Sequence, residues 1–125
     1  MPRYDAKAFL PPAAVAHVSI TNLKRRLTCE RVPRLIDSGA DVTLVPRHAV
    51  TRIKVATIPG TAYELLAFDG TPSRASAVRL KLTWLDRAFV GQFLLIDDTV
   101  GILGRNILNA VALVMDGPQL SWREL

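Results

Sequence analysis

Asp37 stands where an apolar run, Leu35-Ile36, gives way to the small residues Ser38-Gly39-Ala40, and a second acid, Asp41, follows four positions on. Apolar residues then resume through Val45. The pattern predicts a buried strand, a sharp turn that presents one carboxylate, and a second strand. Glycine after the acid permits a tight turn and a close approach to the backbone. The Ser38 hydroxyl can hydrogen-bond locally or across an interface. Taken alone, Asp-Ser-Gly is also an ordinary turn, since all three residues are turn formers. A second segment far downstream, Val100-Gly101-Ile102-Leu103-Gly104-Arg105-Asn106-Ile107-Leu108, raises the signal. There an apolar strand ends in Gly-Arg-Asn and opens an apolar helical turn. Other chemistries lack their parts. His17 and His48 are isolated and spaced for no zinc site, Ser38 has no histidine partner, and Asp97-Asp98 reads as a turn with no His or Cys beside it. No phosphate-cradling or dinucleotide glycine pattern occurs.

Together the loop at Asp37-Ser38-Gly39-Ala40-Asp41 and the Ile102-Leu103-Gly104-Arg105 segment resemble the retropepsins, the aspartic proteases of retroviruses and their cellular relatives. The resemblance spans the chain from about Ala13 to the C-terminus, although only these two segments carry specific residues. It implies a catalytic Asp37, with Ser38, Gly39 and Ala40 supporting the active loop. Asp41 and Arg105 would pair near a dimer interface, and Asp41 would also help bind substrate backbone. A bidentate arginine–carboxylate contact suits that support role. By position, Phe68-Asp69-Gly70-Thr71 would be the tip of a flap closing over substrate. Val42, Ile102 and Leu103 are candidates for either pocket or core. No metal or cofactor is implied.

Peptide hydrolysis by carboxylates takes two of them facing one water. One is ionised and accepts the proton; the other is protonated and stabilises the developing oxyanion. Such a pair shares a proton and titrates as a unit. The chain holds one Asp-Ser-Gly and is too short for two lobes, so the second carboxylate must come from another copy, as a two-fold homodimer supplies by construction. Ser38 would then hydrogen-bond across the dyad. Ala40 cannot donate to the active carboxylate, so the expected optimum is mildly rather than strongly acidic.

The elements that must position these residues follow from pattern. The chain has 125 residues, 50% of them hydrophobic, with eight prolines and much Val, Ile, Leu and Thr. That predicts one all-β domain, closed as a barrel or a sandwich, over 13–125, after a flexible lead-in over 1–12; the retropepsin resemblance implies the closed acid-protease barrel with one lobe per chain. Strands are expected at 14–21, 27–34, 53–58, 78–84, 88–96, 112–115 and 119–125, with Pro33 marking an edge or bulge. One helical turn is expected at 46–50 and a short helix after Gly104-Arg105. Asp69-Gly70 predicts a hairpin between extended arms, and Val78, Leu80, Leu82 and Trp84 alternate as one buried face.

No apolar run is long enough to span a membrane, and no signal peptide is evident. The single Cys29 fits a reducing compartment, and cytoplasmic placement is expected. The net charge of +5 could attract nucleic acid, but no aromatic residues are interleaved with the cations, and solvated turns explain Lys24-Arg25-Arg26 and Arg47, His48, Arg52 and Lys54. Three readings follow. The first is an aspartic endopeptidase acting as a homodimer on extended peptide. The second is a non-catalytic peptide-binding or dimerisation module of the same fold. The third, a small basic nucleic-acid binder, rests on net charge alone.

Overall fold

The computed structural model describes residues 2–60, 62–66 and 69–125. Nine strands and two short helices follow in the order β1 (Val15–Thr21), β2 (Thr28–Ile36), β3 (Leu44–Pro46), α1 (Arg47–Arg52), β4 (Ala62–Leu66), β5 (Pro72–Trp84), β6 (Arg87–Ile96), β7 (Gly101–Leu103), α2 (Arg105–Leu108), β8 (Leu113–Asp116) and β9 (Ser121–Glu124). The main sheet runs β1-β2-β7-β3-β6-β5-β4, and β1 also pairs with β5. That extra pairing closes six strands into a barrel and leaves β4 outside it, attached to β5.

Period-two alternation splits the strands between two apolar layers. On β3 Val45 faces the main core and Leu44 the opposite side. On β6 Phe93 and Leu95 face the core and Leu94 does not. On β7 Leu103 is core and Ile102 is not. The expected stripe on β5 is present: Val78, Leu80, Leu82 and Trp84 are all buried. The outward set, Leu44, Ala75, Ala77 and Leu94, with Val42, Leu65 and Ile102 packed against it, forms a smaller second cluster. That cluster matters for function because the loop carrying Asp37 lies beside it.

Pro33 meets the edge alternative of the expectation made for it. It faces His17 on β1, while β7 joins β2 only from Arg34 onward. A bulge lies between Val18 and Ile20, and nearby Arg31 has φ +54°. Two features differ from the sequence reading. Residues 53–58 form no strand; Val55 and Ile58 pack as single side chains against the two cores. The turn expected at 46–50 is a full helix, α1, because Ala49, Val50 and Ile53 can all bury on one side.

The lead-in, expected to be loose, is tied to the body. Asp5 and Ala13 exchange backbone hydrogen bonds, the Tyr4 amide donates to the Leu120 carbonyl, and the Trp122 amide donates to the Pro2 carbonyl. Strand β9 therefore has β8 on one side and the Arg3 bridge on the other. Trp122 anchors it, with its ring 5.8 Å from that of Trp84 and its indole N–H donating to the Val15 carbonyl. Among the described residues no helix is long and apolar enough to cross a membrane.

Candidate active site

The end of β2 delivers Asp37 into a turn that one distant segment, residues 103–106, holds. The Asp37 amide donates to the Leu103 carbonyl on β7 at 3.1 Å, so the aspartate is pinned the moment it leaves the sheet. The Ala40 amide donates back to the Asp37 carbonyl at 3.2 Å and closes the turn. The Gly39 amide donates to Asp37 Oδ1 at 3.0 Å, which orients the carboxylate. A Cβ on Gly39 would sit 3.2 Å from that same oxygen, so this glycine serves close approach to the carboxylate. Asp37 itself is half-buried.

The second motif locks onto the first. The Arg105 amide donates to the Ala40 carbonyl at 2.8 Å, and its guanidinium Nη1 donates to the Ser38 carbonyl at 2.9 Å. A Cβ on Gly104 would lie 2.2 Å from the Val42 carbonyl oxygen, so only glycine lets the two segments touch. Thr43 completes the joint. Its buried hydroxyl accepts from the Gly104 amide at 3.0 Å and donates to Asn106 Oδ1 at 2.7 Å. Sequence reasoning gave Thr43 and Asn106 no role. The available signal was that each sits inside one of the two motifs, as the polar residue with the least obvious task.

The expected Asp41–Arg105 ion pair is absent from the single chain, where the ion pairs among the described residues are Arg47–Asp97 and Arg87–Glu124. Arg105 is drawn over the turn by its own amide bond to Ala40, and the Ser38 carbonyl is an acceptor within its reach. Asp41 lies beyond that turn, exposed. The Ser38 side chain is also exposed, and its hydroxyl makes no hydrogen bond among the described residues.

Above the loop lies a cavity of about 680 Å³. Asp37, Gly39, Ala40 and Asp41 form its polar end; Val42, Leu44, Leu94 and Ile102 form an apolar floor. Tyr63, Glu64, Leu65 and Leu66 of β4 form the roof. The open roles of three residues now separate. Val42 and Ile102 line the cavity, whereas Leu103 is fully buried in the barrel and contributes its carbonyl to Asp37.

The roof is a hairpin with Leu66 paired to Pro72 and Ala62 to Ser76. Asp69 and Gly70 lie between the paired ends Leu66 and Pro72. Phe68, the expected start of the tip, falls outside the described residues. Gly70 adopts φ +86°, and the Thr71 amide donates to Asp69 Oδ1 at 2.9 Å. Hydrogen bonds from the Thr71 hydroxyl and amide hold the Asp69 carboxyl below its usual range.

One buried residue nearby was not singled out from the sequence. Arg34, three positions before Asp37, points into the barrel between Val32 and Ile36. It is 0% exposed, and none of its guanidinium nitrogens finds a hydrogen-bond partner. Burial lowers its pKa well below the usual arginine value, to about 9, partly offset by Cys29. Gly101 makes room for it, since a Cβ there would lie 2.2 Å from Arg34 Nη1. Among the described residues no group of three His, Cys, Asp or Glu side chains converges as a metal site would need.

No family model and no curated protein sequence matches the chain. Among solved structures it is similar to the EIAV protease complexed with the inhibitor HBY-793, with a TM-score of 0.57 and 22% sequence identity over 78% of this chain and 86% of that one. The fold is retropepsin-like. The match accounts for the closed barrel with its short helix after Gly104 and for the all-β content. At this identity it speaks for the retropepsin-like fold alone.

Proposed function

We propose that the chain is an aspartic endopeptidase that works as a homodimer. The observation that carries this reading is the position of the Asp37 carboxylate. It is oriented by the Gly39 amide at the polar end of a cavity whose floor is apolar and whose roof is a hairpin. An extended peptide fits such a cleft. Asp37 of each copy would face one water, one carboxylate ionised and the other protonated. The water's proton passes to the ionised carboxylate as its oxygen attacks the carbonyl carbon, and the protonated carboxylate stabilises the carbonyl oxygen.

The remaining roles follow from where the side chains stand. The exposed Ser38 hydroxyl, which makes no hydrogen bond among the described residues, would bond across the two-fold axis of the homodimer. Asp41 lines the cavity without an ion-pair partner among the described residues and would accept a substrate backbone N–H. Arg105 supports the loop by holding the Ser38 carbonyl rather than by pairing with Asp41. Val42, Leu44, Leu94 and Ile102 favour apolar substrate side chains.

The test is cleavage of a peptide library read by mass spectrometry from pH 3 to 8, for the native chain and Asp37→Asn at several protein concentrations. Cleavage that disappears in the variant, and whose specific activity rises with concentration, is the expected result. Absence of Asp37-dependent cleavage from folded, dimeric protein would leave the peptide-binding or dimerisation module as the better reading.

A further inference from the structure

Four cations from three segments far apart in sequence meet around one cavity that shares no lining residue with the Asp37 cleft. Lys24 and Arg25 come from the β1–β2 turn, Lys54 from the segment after α1, and Arg79 from the outward side of β5. The cavity is about 380 Å³ and no acidic residue lines it. None of the four side chains makes a hydrogen bond or ion pair within the described residues, where the ion-paired arginines are Arg47 and Arg87. Its apolar surface comes from Leu23, Val55, Ala56 and Ile58.

The cavity is built rather than left over. Asn22 is buried and takes no part in the Asp37 site. Its side-chain amide donates to the Ile53 carbonyl at 2.8 Å, and its oxygen accepts from the Lys24 and Arg25 amides at 3.0 and 3.1 Å. One buried side chain thus fixes the turn bearing two cations against the segment bearing the third. Holding like charges together without counter-charge is unfavourable, and preorganisation of this kind favours an anionic ligand. The cavity also touches the roots of the hairpin over the active site. Ile58, just before β4, donates its amide to the Ala77 carbonyl and packs against the cluster flooring the cleft. Arg79 lies two residues further along β5.

We infer that this cavity is an exosite for an acidic, apolar-containing segment of the protein substrate. The identity of the ligand as substrate rests on the endopeptidase reading above; the binding chemistry does not. Concavity with an aliphatic floor suits a leucine-sized side chain flanked by carboxylates. A nucleic acid would call for aromatic stacking surfaces, and none lines the cavity. A bilayer, being flat, would meet protrusions rather than a recess.

The experiment titrates the blocked peptide Asp-Glu-Leu-Glu-Asp, and its Asn-Gln-Leu-Gln-Asn analogue, into Asp37→Asn protein by calorimetry, so that binding is read without turnover. The acidic peptide is expected to bind at least tenfold more tightly than the amide analogue and to weaken between 50 and 300 mM salt. Lys54→Glu with Arg79→Glu, and separately the milder Lys54→Gln with Arg79→Gln, should each remove most of that preference in folded protein. In the native chain, appending the acidic segment to a cleaved peptide should lower KM at unchanged kcat. If both peptides bind equally, or the variants bind like their parent, the exosite is wrong. So it is if single-stranded RNA or phosphatidylserine vesicles bind where the acidic peptide does not. Acidic-peptide binding without any cleavage would leave the site standing and remove the endopeptidase reading.

Discussion

The floor and the roof of the cleft are built on opposite terms. The floor loop, 37–43, is held by residues more than 60 positions away: the Leu103 carbonyl, the Gly104 and Arg105 amides, and Asn106. Among the described residues the roof strand β4 pairs with its hairpin partner β5 alone and is mostly exposed, with Leu66 at 70%. Its tie beyond that partner is a 3.1 Å hydrogen bond from the Tyr63 hydroxyl to Gln92 Oε1. The floor can therefore loosen only when the barrel does, whereas the roof can lift by local opening. That division suits a site whose carboxylate must stay fixed while a peptide enters and leaves.

The comparison can be broken first at Asp37. Asp37→Asn should abolish cleavage, a loss of about 10³-fold or more, while the thermal midpoint stays within about two degrees, because asparagine keeps a side-chain oxygen for the Gly39 amide and leaves the other floor bonds untouched. A large drop in stability would mean that the carboxylate is structural. The next largest effect is expected at the joint of the floor. Gly104→Ala forces a methyl against the Val42 carbonyl and should cost about 3 kcal/mol, read by urea denaturation. A neutral result would show that the two motifs do not need contact.

Arg34 asks whether the floor's own support is optimal. Its folded pKa, about 9, lies well below that of an arginine in the unfolded chain. Between those two values the unfolded chain holds the extra proton, so stability from this group rises as pH climbs above about 9. Below pH 9 the penalty for burying the charge is fully present. Arg34→Met should thus stabilise the chain at pH 7 by about 1–4 kcal/mol and remove the alkaline rise. Destabilisation would mean that the guanidinium is satisfied in solution.

Thr43→Val keeps the shape but leaves the buried Gly104 amide without its acceptor, at a cost of about 1–3 kcal/mol. The smallest effect on stability belongs to the roof. Leu66→Ala should change it by no more than about 0.5 kcal/mol while raising KM for apolar peptides. A stability loss as large as that of Thr43→Val would erase the contrast between the two regions.

Much of the floor was legible in the sequence because its contacts use short, chemically distinctive motifs. An acid, a glycine and a glycine-arginine pair mark a turn and a close approach whatever their surroundings. The β5 stripe was legible because alternation is fixed by strand geometry alone. The roles of Val42, Ile102 and Leu103 were not, since all three are aliphatic and only the barrel's inside–outside parity separates them. The Asp41–Arg105 pairing was also out of reach. Which acceptor a flexible guanidinium takes depends on where its own backbone is held, and here the Arg105 amide on Ala40 brings it over Ser38.

By itself, then, the sequence determined the all-β class and the turn that presents Asp37, because those depend on residue type and local period, while the meeting of the two segments there was implied by the resemblance. Only the tertiary structure decided that β1 meets β5 to close the barrel and that Arg34 is buried unpaired beside Gly101. It also decided that Lys24, Arg25, Lys54 and Arg79 surround one cavity. Those outcomes depend on which strands become neighbours, a matter of global packing that no local spacing encodes.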